Sequence, residues 1–480
     1  MSKPSCCAII IIFLALVLRL SYAMNAPLTG DEKEFKAVAD TISFNSHQMN
    51  LPVEHDLINH PLLSVYLLKL GAVIFPGSKL GTRIFSLASA LGTFIILYIF
   101  CRLSLGEKHA IVAMVLLGLN RFHIGVSGNG VDDALLLFLS VLSIFLFWKA
   151  MTLQKSVYFI SSGAILGLAY LAKESVVVLL GCFIIYFLCD NVYGWKKLIQ
   201  NRNTRLLWLS FFCVILIDIA WILKHGPSQR LLCGRIFSNL GIGVSGVGFF
   251  VTGLLRYIRN IDYYSLVSWE YPAMTWYEGL LLFLCSMGIV ARRGLKTSAL
   301  KIMGITFLLF LLATSIFKNA EFKWAEVSLI PAIYLSSSVI VRGMEKNALI
   351  KPVFYIFVSF SLLSACMLSF NAKYVMPPNR FANRVDYDMD LMKWYFAQRR
   401  IDKAIEEARD ALGICPNEAR IHNLLGIFYA AKGEMSVAES EFIKAVALKP
   451  DFMYAKVNLD LLQSRCVSCI DSFLKTYSDY

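Results

Sequence analysis

Two adjacent acids, Asp31 and Glu32, follow the first apolar segment of the chain. Residues 8–24 are almost wholly apolar and predict a membrane span, so the acids fall where a membrane-embedded site would meet water. Ionisable residues beside a bilayer are costly to keep there and are therefore candidates for function. We interpret Asp31 as a candidate catalytic carboxylate. The alternative is that the two acids form a solvated turn next to the span.

Further polar residues are predicted on or near the same outer face. His60 follows in the same long segment, Arg83 lies at the start of the second predicted span, and Asp132 and Asp133 head the fourth. A carboxylate can activate a hydroxyl nucleophile as general base, and an arginine fork suits phosphate oxygens. These residue types meet the needs of a group transfer from a membrane-bound phosphate donor. For Asp133 the alternative is a role at the helix N-terminus, a position that favours acids.

The elements that must position these residues are long apolar segments, in keeping with a hydrophobic fraction of 57% and a mean hydropathy of +0.62. Segments near the length that crosses a bilayer recur through the first 370 residues. We place them at 8–24, 80–101, 109–127, 131–150, 157–172, 174–190, 205–223, 275–291, 299–317, 324–342 and 352–370. The predicted fold class is therefore an all-α, polytopic membrane bundle of about eleven spans over residues 1–370.

The charge distribution predicts the topology of this bundle. Residues 371–480 hold 15 basic and 15 acidic residues, so the whole net charge of +13 lies in residues 1–370. Basic residues that flank spans serve topology and lipid headgroups, which argues against nucleic acid as a partner. The basic loops fall on the side of Lys3, which predicts a cytoplasmic N-terminus. An odd number of spans then places residues 371–480 outside, and we favour a bacterial inner membrane.

Two long segments, 25–79 and 224–274, are predicted as loops on the outer face. The second contains Gly241, Gly243 and Gly246 in the spacing G-x-G-x-x-G. A dinucleotide site needs a strand before this motif and a helix after it, and neither fits between membrane spans.

Within the first span, Arg19 is expected to reach the membrane interface or to pair with an acid.

Residues 371–480 repeat a pattern of small and aromatic positions every 34 residues, which is typical of a tetratricopeptide helix pair. The recurring residues are Tyr395, Ala404, Ala411 and Pro416, followed by Tyr429, Ala438, Ala445 and Pro450. Such arrays present a concave surface to a partner. The alternative is a plain α-hairpin docked on the membrane domain. Cys466 and Cys469 have the spacing C-x-x-C, but no second pair completes a zinc site, and a disulfide between them stays open.

Several short motifs carry a resemblance to a known family. In chain order they are Asp31-Glu32, His60-Pro61-Leu62, Arg83 to Ala88, Asp133-Ala134-Leu135, Gly167 to Lys173, and Lys323-Trp324 before Pro331. Their order and spacing resemble the GT-C superfamily of membrane glycosyltransferases, in particular the protein O-mannosyltransferase and lipid A aminoarabinose transferase branch. The resemblance covers residues 1–370.

This resemblance implies an inverting transfer of sugar from a polyprenyl- or dolichyl-phosphate donor to an acceptor at the outer face. It implies that Asp31 deprotonates the acceptor hydroxyl, or positions it with a divalent cation such as Mg²⁺ or Mn²⁺. Glu32 would assist acceptor binding or orient Asp31. Arg83 and Lys173 would stabilise the departing lipid phosphate, and His60 and Asp133 would orient the site. The acceptor would be a protein hydroxyl, a lipid or a glycan.

Two other functions fit the composition. A transporter or flippase for a lipid-linked substrate also has many spans with charged outer loops, but transporters often contain an internal repeat of spans, and the motif order has no second copy. The other is a non-catalytic membrane scaffold that recruits partners through its tetratricopeptide-like helices.

Overall fold

The computed structural model describes residues 3–26, 28, 30–41, 63–189, 200–225, 277–291, 295–316, 326–370 and 381–464. Every regular element in these ranges is a helix, so the predicted all-α fold class is confirmed. His60, the stretch that begins at Gly241, and the pair Cys466 and Cys469 lie outside the described residues, as does the side chain of Asp31.

The chain divides into two compact units, residues 1–375 and 376–480. The helices of the first unit are α1 (Lys3–Asn25), α2 (Gly30–Thr41), α3 (Leu63–Ile74), α4 (Lys79–Ser104), α5 (Glu107–Leu119), α6 (Arg121–Gly128), α7 (Asp133–Leu153), α8 (Ser156–Ala172), α9 (Val177–Cys189), α10 (Arg202–His225), α11 (Tyr277–Ala291), α12 (Ser298–Ile316), α13 (Glu326–Lys346) and α14 (Ile350–Phe370).

Five helices of the first unit are long and apolar enough to cross a bilayer. They are Cys6–Asn25, Lys79–Ser104, Asp133–Leu153, Val327–Lys346 and Ile350–Phe370, and the bent pair α5 and α6 makes a sixth if it counts as one span. A helix of about 20 residues covers roughly the 30 Å of hydrocarbon in a bilayer. The protein is therefore an integral membrane protein. Each of the eleven predicted spans coincides with a helix or a helix pair, and their exact number stays a prediction.

The third predicted span, 109–127, is not one continuous helix. It breaks at Asn120, where α5 and α6 meet at an angle of 63°. Asn120 has an extended backbone, and its side chain accepts a hydrogen bond of 2.9 Å from the backbone N–H of His123. Asparagine competes in this way with the backbone bonds that would continue a helix, so it ends α5 and begins α6.

The predicted loop 25–79 contains two helices, α2 and α3, next to the residues that lie outside the description. In α2 the apolar residues Phe35, Val38 and Ala39 follow helical spacing and pack against Val65 and Leu68 of α3. Val131, which lies just before α7, belongs to the same cluster. This packing holds the acidic start of α2 beside the turn that leads into α7.

The main apolar core of the first unit lies between the long helices. Phe147 of α7 stacks on Phe183 of α9 with ring centroids 4.0 Å apart, and Tyr186 and Phe187 contact the same ring edge-on. Such aromatic pairs add to the stabilisation from burial alone. The core therefore gives α7 a fixed position, and with it the acids at its N-terminus.

The second unit is built of short helices. They are α15 (Phe381–Ala397), α16 (Ile401–Ile414), α17 (Ala419–Lys432), α18 (Met435–Leu448) and α19 (Met453–Gln463). Gly426 of α17 packs directly against the ring of Phe442 of α18, and Asn458 of α19 donates a hydrogen bond of 2.7 Å to Asn423 of α17. The small and aromatic positions of the predicted repeat thus meet in the packing, and the assignment to the tetratricopeptide class stays a prediction.

We expect the second unit to lose stability in acid through Glu441. Burial alone raises the pKa of this carboxyl, but hydrogen bonds from Lys444 (2.8 Å) and His422 (2.6 Å) outweigh burial and hold the pKa below its ordinary value of 4.5. Because the pKa is lower in the folded state, the stabilisation is present above the unfolded value and is lost as pH falls through the folded one. Amide hydrogen exchange of the full chain, corrected for intrinsic rates, should show protection of residues 419–448 falling below about pH 5.

The variant Glu441→Gln should lower the protection of residues 419–448 about threefold to tenfold at neutral pH and flatten its dependence on acid. Glu439→Gln, on the same helix, is the matched control. Equal acid sensitivity in wild type and Glu441→Gln would contradict this expectation.

Candidate active site

The site begins at the first turn of α2, where Asp31 and Glu32 follow Gly30. Acids stabilise a helix at this position because they face the positive end of the helix dipole. Glu32 is fully buried, so its carboxylate must be paired.

Arg83 of α4 supplies that pairing through the edge of its guanidinium that carries Nε and Nη2. Its Nε donates to Oε1 of Glu32 at 2.6 Å and its Nη2 to Oε2 at 2.8 Å, and both side chains are fully buried. Its Nη1 donates to the carbonyl oxygens of Ala23 and of Ala26 (3.1 Å). These carbonyls lie at the C-terminal end of α1, where helix carbonyls lack partners within the helix. Arg83 thereby ties α1, α2 and α4 together.

The turn between α6 and α7 adds a third contact to Glu32. The backbone N–H of Gly130 donates to Oε1 of Glu32 at 2.8 Å. A Cβ on Gly130 would lie 2.5 Å from the carbonyl oxygen of Thr82 and 3.3 Å from Oε1 of Glu32. The approach is too close for a side chain, so glycine is required for this amide to reach the carboxylate.

A second buried ion pair lies on the same turn. Lys173, directly after α8, donates through Nζ to Oδ1 of Asp133, and the Oδ1 atom of Asp132 lies 3.6 Å from Nζ. All three side chains are buried. Asp132 occupies the N-cap position of α7 without a side-chain cap bond, and Asp133 is the first helical residue. Asp133 therefore lies at a helix start and is also paired with a lysine that is distant in the sequence.

The structure thus brings together four of the six residues predicted for the site: Glu32, Arg83, Asp133 and Lys173. The turn from Gly130 to Asp133 joins the two ion pairs, because its first residue binds Glu32 and its last binds Lys173. Asp31 contributes the backbone of the first turn of α2.

The described carboxylates of the site are bound by cationic side chains. Both oxygens of Glu32 are engaged by Arg83, and Asp133 is engaged by Lys173. Among the described residues no group of three or more metal-ligating side chains is arranged around one point. Asp31 is the residue that the sequence predicts as a ligand of a divalent cation. The presence of that cation stays a prediction.

Several contacts of the site could not be recognised from the sequence. The contacts of Gly130, Ala23 and Ala26 are made by backbone atoms, so the residue types at these positions do not indicate them. The sequence shows that Asp132 lies beside Asp133, but the nearness of Asp132 to Lys173 depends on how α7 and α8 pack. The expectation for Arg19 was wrong: its side chain is fully buried, and it is bonded to backbone carbonyls and to His123.

Part of the chain matches a known protein family. Residues 59–221, about a third of the chain, match the family described as dolichyl-phosphate-mannose-protein mannosyltransferase. The matched segment includes Arg83, Asp133 and Lys173. Asp31 and Glu32 precede it.

Two solved structures are similar to most of the chain. The crystal structure of ArnT from Cupriavidus metallidurans bound to undecaprenyl phosphate matches with a TM-score of 0.51 at 16% identity, covering 95% of this chain and 76% of that one. The oligosaccharyltransferase of Archaeoglobus fulgidus matches with a TM-score of 0.55 at 15% identity, covering 83% of this chain and 56% of that one. The predicted resemblance to the GT-C superfamily is thus confirmed at the level of the fold.

One curated protein matches a short segment. The peroxisomal targeting signal receptor of Candida albicans is 33% identical over 96 residues, which is 20% of this chain. The chain spans 15% of the length of that relative.

Proposed function

We propose that this membrane protein is a glycosyltransferase that moves a sugar from a polyprenyl- or dolichyl-phosphate carrier to an acceptor hydroxyl. The observation that carries the proposal is the fixed acidic turn at the start of α2. There Asp31 lies a few residues after the end of α1, and its neighbour Glu32 is held by Arg83 and Gly130. A general base has to be held in place to act, and three hydrogen bonds to the adjacent residue provide that rigidity.

In the proposed reaction Asp31 takes the proton of the acceptor hydroxyl. The acceptor oxygen forms a bond to the anomeric carbon from the face opposite the phosphate, and the bond from that carbon to the phosphate oxygen breaks. The lipid phosphate leaves with the bonding electrons, and the configuration of the sugar is inverted. A divalent cation at Asp31, if one is bound, would polarise the acceptor oxygen and lower the pKa of its hydroxyl.

In this proposal the other residues of the site orient the acidic turn and the start of α7, or stabilise the leaving phosphate. Glu32 and Asp133 hold the acidic turn and the start of α7, and His60 belongs to the same outer segment as the acids. Negative charge develops on the leaving phosphate, where cationic groups have their largest effect on the rate. Arg83 and Lys173 are the proposed source of that positive charge, each acting from within the ion pair that holds it.

The comparisons support the donor class. The matched family is described by dolichyl-phosphate-mannose as donor, and ArnT was crystallised with undecaprenyl phosphate, a polyprenyl phosphate. We further propose that the site faces the extracytoplasmic side of a bacterial inner membrane. In this topology the N-terminus is cytoplasmic and residues 371–480 form an extracytoplasmic helical domain that binds the acceptor or a protein partner.

The test is sugar transfer by the full-length protein in membranes supplied with radiolabelled polyprenyl-phosphate sugars. We expect label to move from the lipid fraction to protein, lipid or glycan, and we expect no transfer from the corresponding sugar nucleotides. Label that crosses the membrane while still bound to its lipid would overturn the proposal in favour of a flippase. The absence of both transfer and movement over a broad donor panel would favour a non-catalytic scaffold.

A further inference from the structure

The break between α5 and α6 leaves backbone carbonyls that need partners inside the membrane. The last four carbonyls of an α-helix receive no hydrogen bond from an N–H of the same helix. In hydrocarbon no water is present to donate the missing bonds. Leu117 and Gly118 are in this position at the end of α5. The amide of Asn120 gives Leu117 one long bond of 3.3 Å.

Arg19 of α1 satisfies both carbonyls. Its Nη2 donates to the oxygen of Leu117 at 2.9 Å, and its Nη1 donates to the oxygens of Gly118 at 3.0 Å and of Ala15 at 2.9 Å. The guanidinium also lies over the ring of Phe94, 4.8 Å from its centroid. Among the described residues no carboxylate pairs with Arg19. Its bonds to carbonyl oxygens go to the end of α5 and to Ala15 of its own helix.

The same guanidinium continues across the break to α6. Its Nε and Nη2 lie 3.1 Å and 2.7 Å from Nδ1 of His123. Because both arginine atoms are donors, Nδ1 must be the acceptor, which places the ring proton of a neutral His123 on Nε2. Arg19 therefore binds the end of α5 and the first turn of α6 at once.

The other end of α6 leads to the candidate active site. Gly128, its last residue, packs directly on the ring of Tyr22, one turn along α1 from Arg19. Two residues later Gly130 donates to Glu32. A helix of eight residues is about 12 Å long and stiff, so its direction at His123 determines where Gly130 lies.

We infer that Arg19 and His123 are positioning residues of the proposed transferase: they set the direction of α6 and thereby place the Gly130 amide on Glu32. This inference rests on the proposed function. Neither residue touches the proposed reacting atoms, and each acts through the turn that follows α6. Without this hydrogen bond α6 keeps its packing on α1 but loses the polar contact that sets its direction, and the Gly130 amide is then no longer fixed on Glu32.

The experiment compares two substitutions of His123 in the full-length protein. In His123→Asn the Oδ1 atom occupies nearly the place of Nδ1 and can still accept from Arg19, whereas His123→Leu removes the acceptor. We expect His123→Leu to lower kcat on the order of tenfold to a hundredfold with an unchanged KM for the lipid-linked donor. We expect His123→Asn to restore most of the loss. His109→Leu, on α5, is the control for the loss of an imidazole.

Amide hydrogen exchange provides a readout that does not depend on activity. Residues 128–133 should exchange faster in His123→Leu and at the wild-type rate in His123→Asn. Wild-type exchange and kcat in His123→Leu would overturn the inference, as would equal losses in both variants. If the wild type transfers no sugar, the proposed function fails while the exchange data still decide whether His123 positions the turn.

Discussion

Asp31→Asn is expected to lower the rate of sugar transfer about 10³-fold, because the amide cannot take the proton of the acceptor hydroxyl. Binding of the lipid-linked donor should be retained, since the change keeps the shape of the side chain and leaves Arg83 and Lys173 in place. Single-turnover transfer and donor binding, measured on the same purified protein, separate the two effects.

Asp40→Asn is the matched control, because Asp40 lies on the same helix, α2, at its other end. Its transfer rate should stay close to that of the wild type. Asp31→Glu, which keeps the carboxylate and moves it by one methylene, should retain part of the activity. Equal turnover by Asp31→Asn and the wild type would remove Asp31 as the general base and leave Glu32 or a bound cation to be tested.

The helices of the membrane unit could be predicted from the sequence because each is a long apolar run, and such a run has few alternatives in a bilayer. The break at Asn120 could not, because the segment 109–127 has the length and average hydropathy of a single span although Arg121 and His123 follow Asn120. The break depends on the side chain of Asn120, which competes with the backbone hydrogen bonds that would continue α5. A hydropathy average over the whole segment does not detect this competition at one residue.

The residues of the candidate site could be singled out from the sequence, but their partners could not. A charged residue beside an apolar span is easily recognised in the sequence. Its partner is not, because Arg83 and Glu32 are 51 positions apart in the chain, and Lys173 and Asp133 are 40 positions apart. Helical periodicity predicts which face of a helix is buried and says nothing about which helix lies against it. Arg19 illustrates the same limit, since its partners are carbonyls that exist only because another helix is broken.

The ion pair of Glu32 and Arg83 is expected to contribute more to the stability of the membrane unit than any exposed pair. Removing one partner of a buried pair leaves the other charge without compensation, which costs about 3–5 kcal/mol. Glu32→Gln keeps an acceptor for Gly130 and leaves Arg83 without its counter-charge. Arg83→Met leaves the carboxylate unpaired and also releases the carbonyls of Ala23 and Ala26.

The double variant should therefore be less destabilised than the sum of the two single variants. Unfolding in mixed micelles with increasing sodium dodecyl sulfate would measure each free energy and the coupling between them. The exposed pair of Lys108 and Glu345, whose atoms lie 2.8 Å apart, is the matched control. Its variants Lys108→Met and Glu345→Gln should show little coupling, because water already compensates both charges.

Transfer activity in these variants separates the two roles assigned to Arg83. If Arg83 only holds the acidic turn, the activity lost in Glu32→Gln and in Arg83→Met should follow the stability that each variant loses, at a detergent concentration where both remain folded. If its positive charge also stabilises the leaving phosphate, Arg83→Met should lose more activity than its loss of stability accounts for, because Glu32→Gln keeps the cation in the site. Additive stability losses in the double variant would contradict the pairing itself, since they would mean that the two side chains act independently in the folded protein.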